Sequence, residues 1–323
     1  MKMLVGILLT CAGPGLLAAQ AAPAGPNPLL RQYRDGERLT YHMKGANEAW
    51  HYQIQAEGVV KKDADGTYFE EYGWSHLISD DRETALSAAS TRFRQQVTLD
   101  PNRAPAFPNL SQVDSTLVGP MTDFLTFYVD LWLAAKAGAI THPGDHFYFK
   151  RGTPSSWADG GRVLIGESSV DFDLTLKELK PTYRIATVVI RHLPPEQPEI
   201  KLPVDWMREP VADTPNNWVQ LEKTKDNRYL AAVGKEIFEV QATLSLVDGK
   251  ILFATMDNRV QTLERECADS ALTKCNGAKP HLIERRIEIS LDSGSGGSTA
   301  ASGKSNIRRD VEAPRDQGQA QLR

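Results

Sequence analysis

Apolar and polar side chains alternate residue by residue in three segments of the chain. The segments are 50–57, 170–177 and 238–246, and in the first of them Trp50 and Tyr52 are separated by His51. Successive side chains of a strand point to opposite faces, so this period predicts half-buried strands. Less regular apolar runs predict further strands at 38–44, 94–99, 146–150, 162–166 and 184–191.

Tight-turn sequences connect several of these runs. Asp-Gly tolerates the positive φ of the turns that close hairpins. The hairpins predicted in this way join 54–62 to 67–77 through Asp65-Gly66, 238–246 to 251–256 through Asp248-Gly249, and 260–266 to 282–290. Consecutive hairpins indicate a mainly β protein with one large, curved antiparallel sheet, either a half-barrel or a barrel.

The segment 120–136 departs from the strand pattern and predicts one amphipathic helix. Its apolar side chains share a stripe at 100° per residue, and they are Met121, Phe124, Leu125, Tyr128, Leu131, Trp132 and Ala135. Asp123, Thr126 and Asp130 gather on the opposite side. We expect the stripe to pack on the concave face of the sheet.

A proline-rich stretch at 192–218 contains six prolines, together with Trp206 and Trp218. Proline lacks the N–H that a sheet ladder requires, so this stretch predicts a long ordered crossing and not a central strand. Long loops are often functional, and a plain cover over the sheet is the alternative.

The two ends of the chain differ from the middle. Residues 1–21 combine Lys2, a short apolar run and Ala19-Gln20-Ala21, which are the parts of a cleaved secretory signal. We therefore predict a signal peptide at 1–21, a linker at 22–29, a single β-rich domain at 30–291 and a disordered tail at 292–323. The signal predicts an exported protein, periplasmic or extracellular, with no transmembrane segment after cleavage.

The composition limits the possible partners. The chain of 323 residues is 41% apolar and 24% charged with a formal net charge of -4, which is typical of a soluble globular protein. It lacks the basic character of a nucleic-acid-binding protein, so we expect no nucleic-acid partner.

Two cysteines, Cys267 and Cys275, remain after the signal is removed, and a pair in an oxidising compartment predicts a disulfide. A zinc site is the alternative, but His281 is the only histidine close to them in sequence. Cys11 would suggest lipidation, but Thr10 precedes it where an anchor motif has a small residue.

No catalytic or cofactor motif occurs in the predicted domain: neither a nucleophile elbow, a phosphate loop, a zinc-protease helix nor a dinucleotide fingerprint is present. We therefore predict no catalytic residue, no metal ligand and no cofactor. Two weaker patterns stay as alternatives. His142, Asp145 and His146 resemble a metal site interrupted by a turn, and Asp171 and Asp173 would project from one face of a strand as paired carboxylates.

The stretch 33–45 contains Gly36-Glu37-x-Leu39-x-Tyr41 at the opening of the first strand. It resembles the start of a family of uncharacterised exported bacterial proteins that are similar to LolA-type half-barrels. In such half-barrels a curved antiparallel sheet wraps helices and can shelter acyl chains. The resemblance implies the same fold here, although this chain is longer and adds the disulfide hairpin and the proline-rich crossing.

These patterns lead to one functional hypothesis and two alternatives. The first is an exported, non-enzymatic protein that binds a lipid, another apolar ligand or an envelope component, with Phe124, Tyr128, Leu131 and Trp132 lining the boundary between helix and sheet. The alternatives are an extracytoplasmic hydrolase with paired carboxylates and a structural envelope module that uses the tail.

Overall fold

The computed structural model describes residues 27, 29–47, 50–137, 140–150, 155–156, 163–292 and 294. The predicted signal and nearly all of the predicted linker and tail lie outside these residues. The strands are β1 Arg38–Asn47, β2 Trp50–Lys62, β3 Tyr68–Ser79, β4 Arg82–Glu83, β5 Gln95–Val97, β6 His146–Phe149, β7 Ser155–Ser156, β8 Val163–Ser168, β9 Asp171–Lys180, β10 Ile185–Leu193, β11 Trp218–Lys223, β12 Tyr229–Ser245, β13 Ile251–Cys267 and β14 Lys279–Leu291. The helices are α1 Ala88–Arg92 and α2 Ser115–Ala137, with short 3₁₀ turns at Pro181–Tyr183 and Asp205–Arg208.

All of the described strands belong to one antiparallel sheet. The main order is β4-β3-β2-β1-β14-β13-β12-β10-β9-β6, and β5, β7, β8 and β11 pair beside this path. The order ends at β4 on one side and β6 on the other, so the sheet is open within the described residues. This confirms the predicted mainly β fold and identifies its form as an open sheet and not a closed barrel.

Contacts with α2 require the sheet to be curved. The Tyr128 hydroxyl on α2 donates to Glu70 on β3, and Asp130 on the same helix accepts from His192 on β10. Five strands separate β3 from β10, which would place them roughly 29 Å apart in a flat sheet. A helix with its side chains is only about 10 to 12 Å across, so the sheet must wrap around it.

Helix α2 packs on the concave face, as predicted, and forms the centre of the main core. Phe124, Leu125, Tyr128 and Leu131 are buried in a cluster with inward side chains of β1, β2, β3, β9, β10, β12, β13 and β14. Removing so many large apolar side chains from water supplies the main driving force for the fold.

The helix begins earlier than the sequence predicts, at Ser115 instead of Pro120. Proline was expected at the first helical position, but here it lies inside the helix. Its missing N–H would have bonded to the Thr116 carbonyl, and Thr116 is exposed. Water can therefore satisfy that carbonyl, which reduces the cost of the interior proline.

The expected polar side of α2 is also partly buried. Asp123 and Asp130 were predicted to lie opposite the apolar stripe, yet both are almost completely buried. Each carboxylate is paired with a basic side chain of the sheet, Arg285 or His192. Buried charges of this kind are tolerated when they are paired and hydrogen-bonded.

Two strands are longer than the pattern predicts. Segments 251–256 and 260–266 form the single strand β13, because Asn258 points into the concave face while Asp257 and Arg259 point outward. Alternation therefore continues through what looks like a polar interruption. Strand β12 begins at Tyr229 and not at 238, since small residues conceal the period in its first half.

The proline-rich segment covers a second, smaller apolar cluster. This cluster contains Met207, Val219, Leu221, Ala231, Val233, Cys267 and Leu272, with Ile200, Leu202, Val204 and Trp206 packed against it. In β12 its members have odd numbers, whereas the members of the main core have even numbers. The second cluster therefore lies on the opposite, outer face of the same strands. Next to it, the sulfur atoms of Cys267 and Cys275 are 1.99 Å apart, at disulfide distance.

The ordered contacts extend into the predicted linker. Leu29 is buried in the main core, and the side-chain amide of Asn27 donates to the Ala135 carbonyl near the end of α2. Arg31, just after the expected boundary at 30, is buried as well.

We predict that Phe124→Ala lowers the free energy of unfolding by about 3 to 5 kcal/mol, because it leaves a cavity in the main core. Phe107→Ala is the matched control, since Phe107 is 82% exposed and its loss should change the stability by less than about 0.5 kcal/mol. Urea unfolding followed by circular dichroism measures both. Equal effects of the two substitutions would contradict the central place of α2.

Candidate functional site

The four predicted ligand-binding residues differ in their exposure to solvent. Phe124, Tyr128 and Leu131 are buried between α2 and the sheet, whereas Trp132 is half-buried. The Trp132 indole donates to the Asp100 carbonyl at 2.9 Å, and the Lys136 ammonium lies 4.5 Å from its ring centroid. Only Trp132 of these four therefore reaches the surface, and whether they bind a ligand stays a prediction.

Between α2 and the sheet, Tyr128 belongs to a buried polar network around Glu70. Glu70 Oε2 accepts from the Tyr72 hydroxyl at 2.7 Å and also from the Tyr128 hydroxyl. Glu70 Oε1 lies 3.3 Å from Arg31 Nε, and Arg31 Nη2 is 2.5 Å from Glu37 Oε2. The network thus joins α2, β3 and the segment that precedes β1.

The electrostatics of this network follow from its burial. Burial, together with the adjacent Glu70 carboxylate, raises the pKa of Tyr72 and Tyr128 well above the usual value. Burial alone would lower the pKa of Arg31, but Glu70 and Glu37 reverse the direction and raise it. Both tyrosines therefore remain neutral donors and Arg31 remains a cation, which is the state that a buried carboxylate requires.

Two glycines inside strands leave room for tyrosine rings of the neighbouring strand. Gly45 pairs with Tyr52, and Gly58 pairs with Tyr72. A Cβ atom would lie 2.2 Å from the Tyr52 ring at the first position and 2.3 Å from the Tyr72 ring at the second. Glycine within a strand pattern is the sequence signal for such close approaches. The two tyrosines that the glycines accommodate bond to the buried carboxylates Asp123 and Glu70.

A second polar group, here called the rim cluster, lies on the other flank of α2. Its members are Tyr52, Asp123, Asp130, His192, Glu236, Asn258 and Arg285. His192, Phe238, Asn258 and Arg285 are consecutive register partners across β10, β12, β13 and β14. They therefore form one row across the concave face.

Asp123 is the first anchor of the rim cluster. Its Oδ2 accepts from the Tyr52 hydroxyl at 2.9 Å, and its Oδ1 is ion-paired with Arg285. The attraction of Asp123 raises the pKa of Arg285. The Arg285 side chain is still 31% exposed, so this cation lies between the core and solvent.

Asp130 is the second anchor, about two turns further along α2. Its Oδ2 lies 2.7 Å from His192 Nε2. The imidazole is flanked by Phe172 and Phe238, with ring centroids at 4.5 and 4.3 Å. Aromatic neighbours on both sides and the carboxylate fix the position of the ring.

Glu236 lies beside these two anchors. Burial raises the pKa of its carboxyl, although the Asn258 amide and the nearby His192 and Arg285 act in the opposite direction. Asn258 Nδ2 donates to Glu236 Oε1 at 2.9 Å. Among the described residues Glu236 has no salt bridge, in contrast to Asp123 and Asp130.

The weaker chemical patterns of the sequence are found elsewhere. Asp171 accepts from the Tyr148 hydroxyl at 2.7 Å, which raises the pKa of Tyr148 to about 12. Asp173 lies 2.7 Å from His146 Nδ1. Both carboxylates project from the outer face of β9, as expected, but Asp171 is buried there and not exposed.

The predicted metal-like turn is held by Asp145. Its Oδ2 accepts from the backbone N–H groups of Thr141 and His142, both at 2.7 Å, and these bonds lower its pKa. Across the described part of the chain, no three His, Cys, Asp or Glu side chains converge as a metal site requires.

Helix α2 also has a half-exposed side, here called the outer seam. It consists of Gly119, Thr122, Thr126, Val129 and Leu133, which are all half-buried. Their spacing of three and four residues places them on one side of the helix, away from Phe124 and Tyr128. The Thr122 and Thr126 hydroxyls donate to helix carbonyls at 3.1 and 2.9 Å, so the seam presents mainly apolar atoms.

Two grooves lie on the outer face of β1, β2 and β3. One, of about 350 Å³, is lined by residues including Arg38, Lys61 and Arg94. The other, of about 370 Å³, is lined by residues including His42 and Lys44. Both contain charged side chains, so neither resembles the apolar concavity that a lipid site requires.

None of the described helices is long and apolar enough to cross a bilayer. The chain matches no protein-family model, and a search of curated proteins found no relative. The resemblance to LolA-type half-barrels therefore stays a prediction.

We predict that Glu70→Gln destabilises the protein by about 3 kcal/mol or more, because it removes the buried charge that pairs with Arg31 and accepts from two tyrosine hydroxyls, and Arg31 keeps only the less buried Glu37 as a partner. Glu71→Gln is the matched control on the same strand. Glu71 points to the outer face and pairs with the exposed Lys61, so its loss should cost less than about 1 kcal/mol. Thermal and urea unfolding of both variants test the difference, and a greater loss in Glu71→Gln would refute this assignment.

Proposed function

We propose that the protein is exported to the periplasm or the extracellular space and binds a lipid or another apolar envelope component along the outer seam of α2. The observation that carries this proposal is the apolar character of the seam. From Gly119 to Leu133 it extends roughly 21 Å along the helix axis, enough to lie beside an extended acyl chain.

Trp132 borders the outer seam and is the predicted ligand-binding residue that reaches such a ligand directly. Its indole N–H is already bonded to the Asp100 carbonyl, so the ring offers its apolar surface. Phe124, Tyr128 and Leu131 reach a ligand only if α2 moves away from the sheet.

Export is supported by the cysteine pair. Cys267 and Cys275 are at disulfide distance, and disulfides persist in oxidising compartments outside the cytoplasm. The structural-module alternative rests on the tail at 292–323, of which residues 292 and 294 are described, so it stays a prediction.

The seam is tested by extracting the protein gently from its own cell and recording its native mass spectrum. We expect a lipid-sized adduct that organic solvent removes. Val129→Asp places a charge in the middle of the seam and should abolish the adduct and weaken binding of anilinonaphthalene sulfonate at least about tenfold, since burying an unpaired carboxylate is costly.

Phe253→Asp is the control, because Phe253 is exposed on the outer face of β13. It should keep both the adduct and the binding of the fluorescent probe. A wild-type protein without an adduct, or an adduct that Val129→Asp retains, would exclude the outer seam as the binding site.

A further inference from the structure

The His192–Asp130 pair has the geometry of an oriented base. The Asp130 side chain is 2% exposed, and its carboxylate lies 2.7 Å from His192 Nε2. An ionised carboxylate can only accept a hydrogen bond, so Nε2–H is the donor and Nδ1 keeps its lone pair. Phe172 and Phe238 prevent the ring from turning away.

His192 Nδ1 is available to a water molecule. Among the described residues it has no hydrogen-bonding partner, and 13% of the side-chain surface is exposed. A histidine whose second nitrogen is held by a buried carboxylate is the arrangement that general-base catalysis uses.

A carboxyl group lies beside this base. Glu236 is two residues from Phe238, the register partner of His192, and side chains two residues apart share a face. The Asn258 amide donates a hydrogen bond to Oε1 of the Glu236 carboxyl. Burial raises the pKa of this carboxyl. A carboxyl whose pKa is raised by burial, next to an oriented imidazole, is the kind of pair in which acid and base roles are separated in one site.

We propose that the rim cluster is a hydrolytic site in which His192 activates water and Glu236 protonates the leaving group of an ester with an apolar acyl chain. The apolar preference comes from Phe172 and the exposed Phe149, whose rings are 6.3 Å apart at the same rim. Arg285 adds positive charge to the same cluster, where it acts electrostatically on Glu236, and fixed positive charge stabilises an oxyanion as it develops.

The reaction balances without a cofactor. His192 Nδ1 takes a proton from water while the water oxygen forms a bond to the ester carbonyl carbon. The carbon–oxygen bond to the leaving group then breaks, and Glu236 gives its proton to the departing oxygen. The products are a carboxylic acid and an alcohol, and proton transfer through solvent from His192 to Glu236 restores the starting state.

The test measures hydrolysis of p-nitrophenyl butyrate and ethyl butyrate by the full chain. We expect His192→Gln to lower kcat/KM for both esters by about 10² to 10⁴. Glu236→Gln should slow ethyl butyrate much more than p-nitrophenyl butyrate, because nitrophenolate leaves without protonation. Asp130 is a positioning residue, so Asp130→Asn should lower kcat and leave KM within about twofold.

His146→Gln is the matched control. His146 also lies 2.7 Å from a carboxylate, that of Asp173, but on the outer face and without a neighbouring acid such as Glu236. It should keep the wild-type rate. Circular dichroism must show that each variant is folded.

Hydrolysis by the wild type no faster than in buffer overturns the proposal. So does full activity in His192→Gln, or an equal loss in His146→Gln, because either result would assign the reaction to exposed histidines in general. An equal effect of Glu236→Gln on both esters removes Glu236 from the acid role.

Discussion

The burial of one helix by one sheet is the constraint on which the rest of this structure depends. An antiparallel sheet with an apolar inner face needs a second layer to cover it, and α2 provides the centre of that layer. Since strands from β3 to β10 contact the same helix, the curvature of the sheet follows from the requirement that both of its sides reach α2. Side chains from all of these strands are thereby brought close to one helix.

The two flanks of α2 serve different purposes. Aromatic contacts among Phe124, Tyr41, Tyr72 and Trp74 pack the side towards β1 and β3, next to the buried Glu70 network. The side towards β10 and β14 has ion pairs, which contribute less to stability than apolar packing of the same volume but leave a costly unpaired charge if the helix shifts. Apolar burial therefore holds α2 against the sheet. The ion pairs fix its rotation about the helix axis and its position along that axis. This division leaves the rim with functional groups that are rigid and still within reach of solvent.

The fold could be predicted from the sequence to the extent that its signals are local. Alternation identified β2, β9 and the second half of β12, and Asp-Gly identified the turns after β2 and β12. The start of α2 was missed because Pro120 looks like a first residue when the exposure of Thr116 is unknown. The burial of Asp130 and Asp123 could not be foreseen, since their partners are 62 and 162 residues away along the chain. Without knowledge of a distant partner, a charged side chain is expected to face solvent.

The length of β12 and β13 has a consequence for how the molecule opens. Each strand has 17 residues and passes from the main core on one face of the sheet to the smaller cluster on the other face. The two clusters share one continuous ladder of backbone hydrogen bonds, so neither can lose its packing without exposing amides that protect the other. Hydrogen exchange along this ribbon should therefore report a single cooperative unit, in which the proline-rich cover and the helix-filled groove melt together although they do not touch the same side of the sheet.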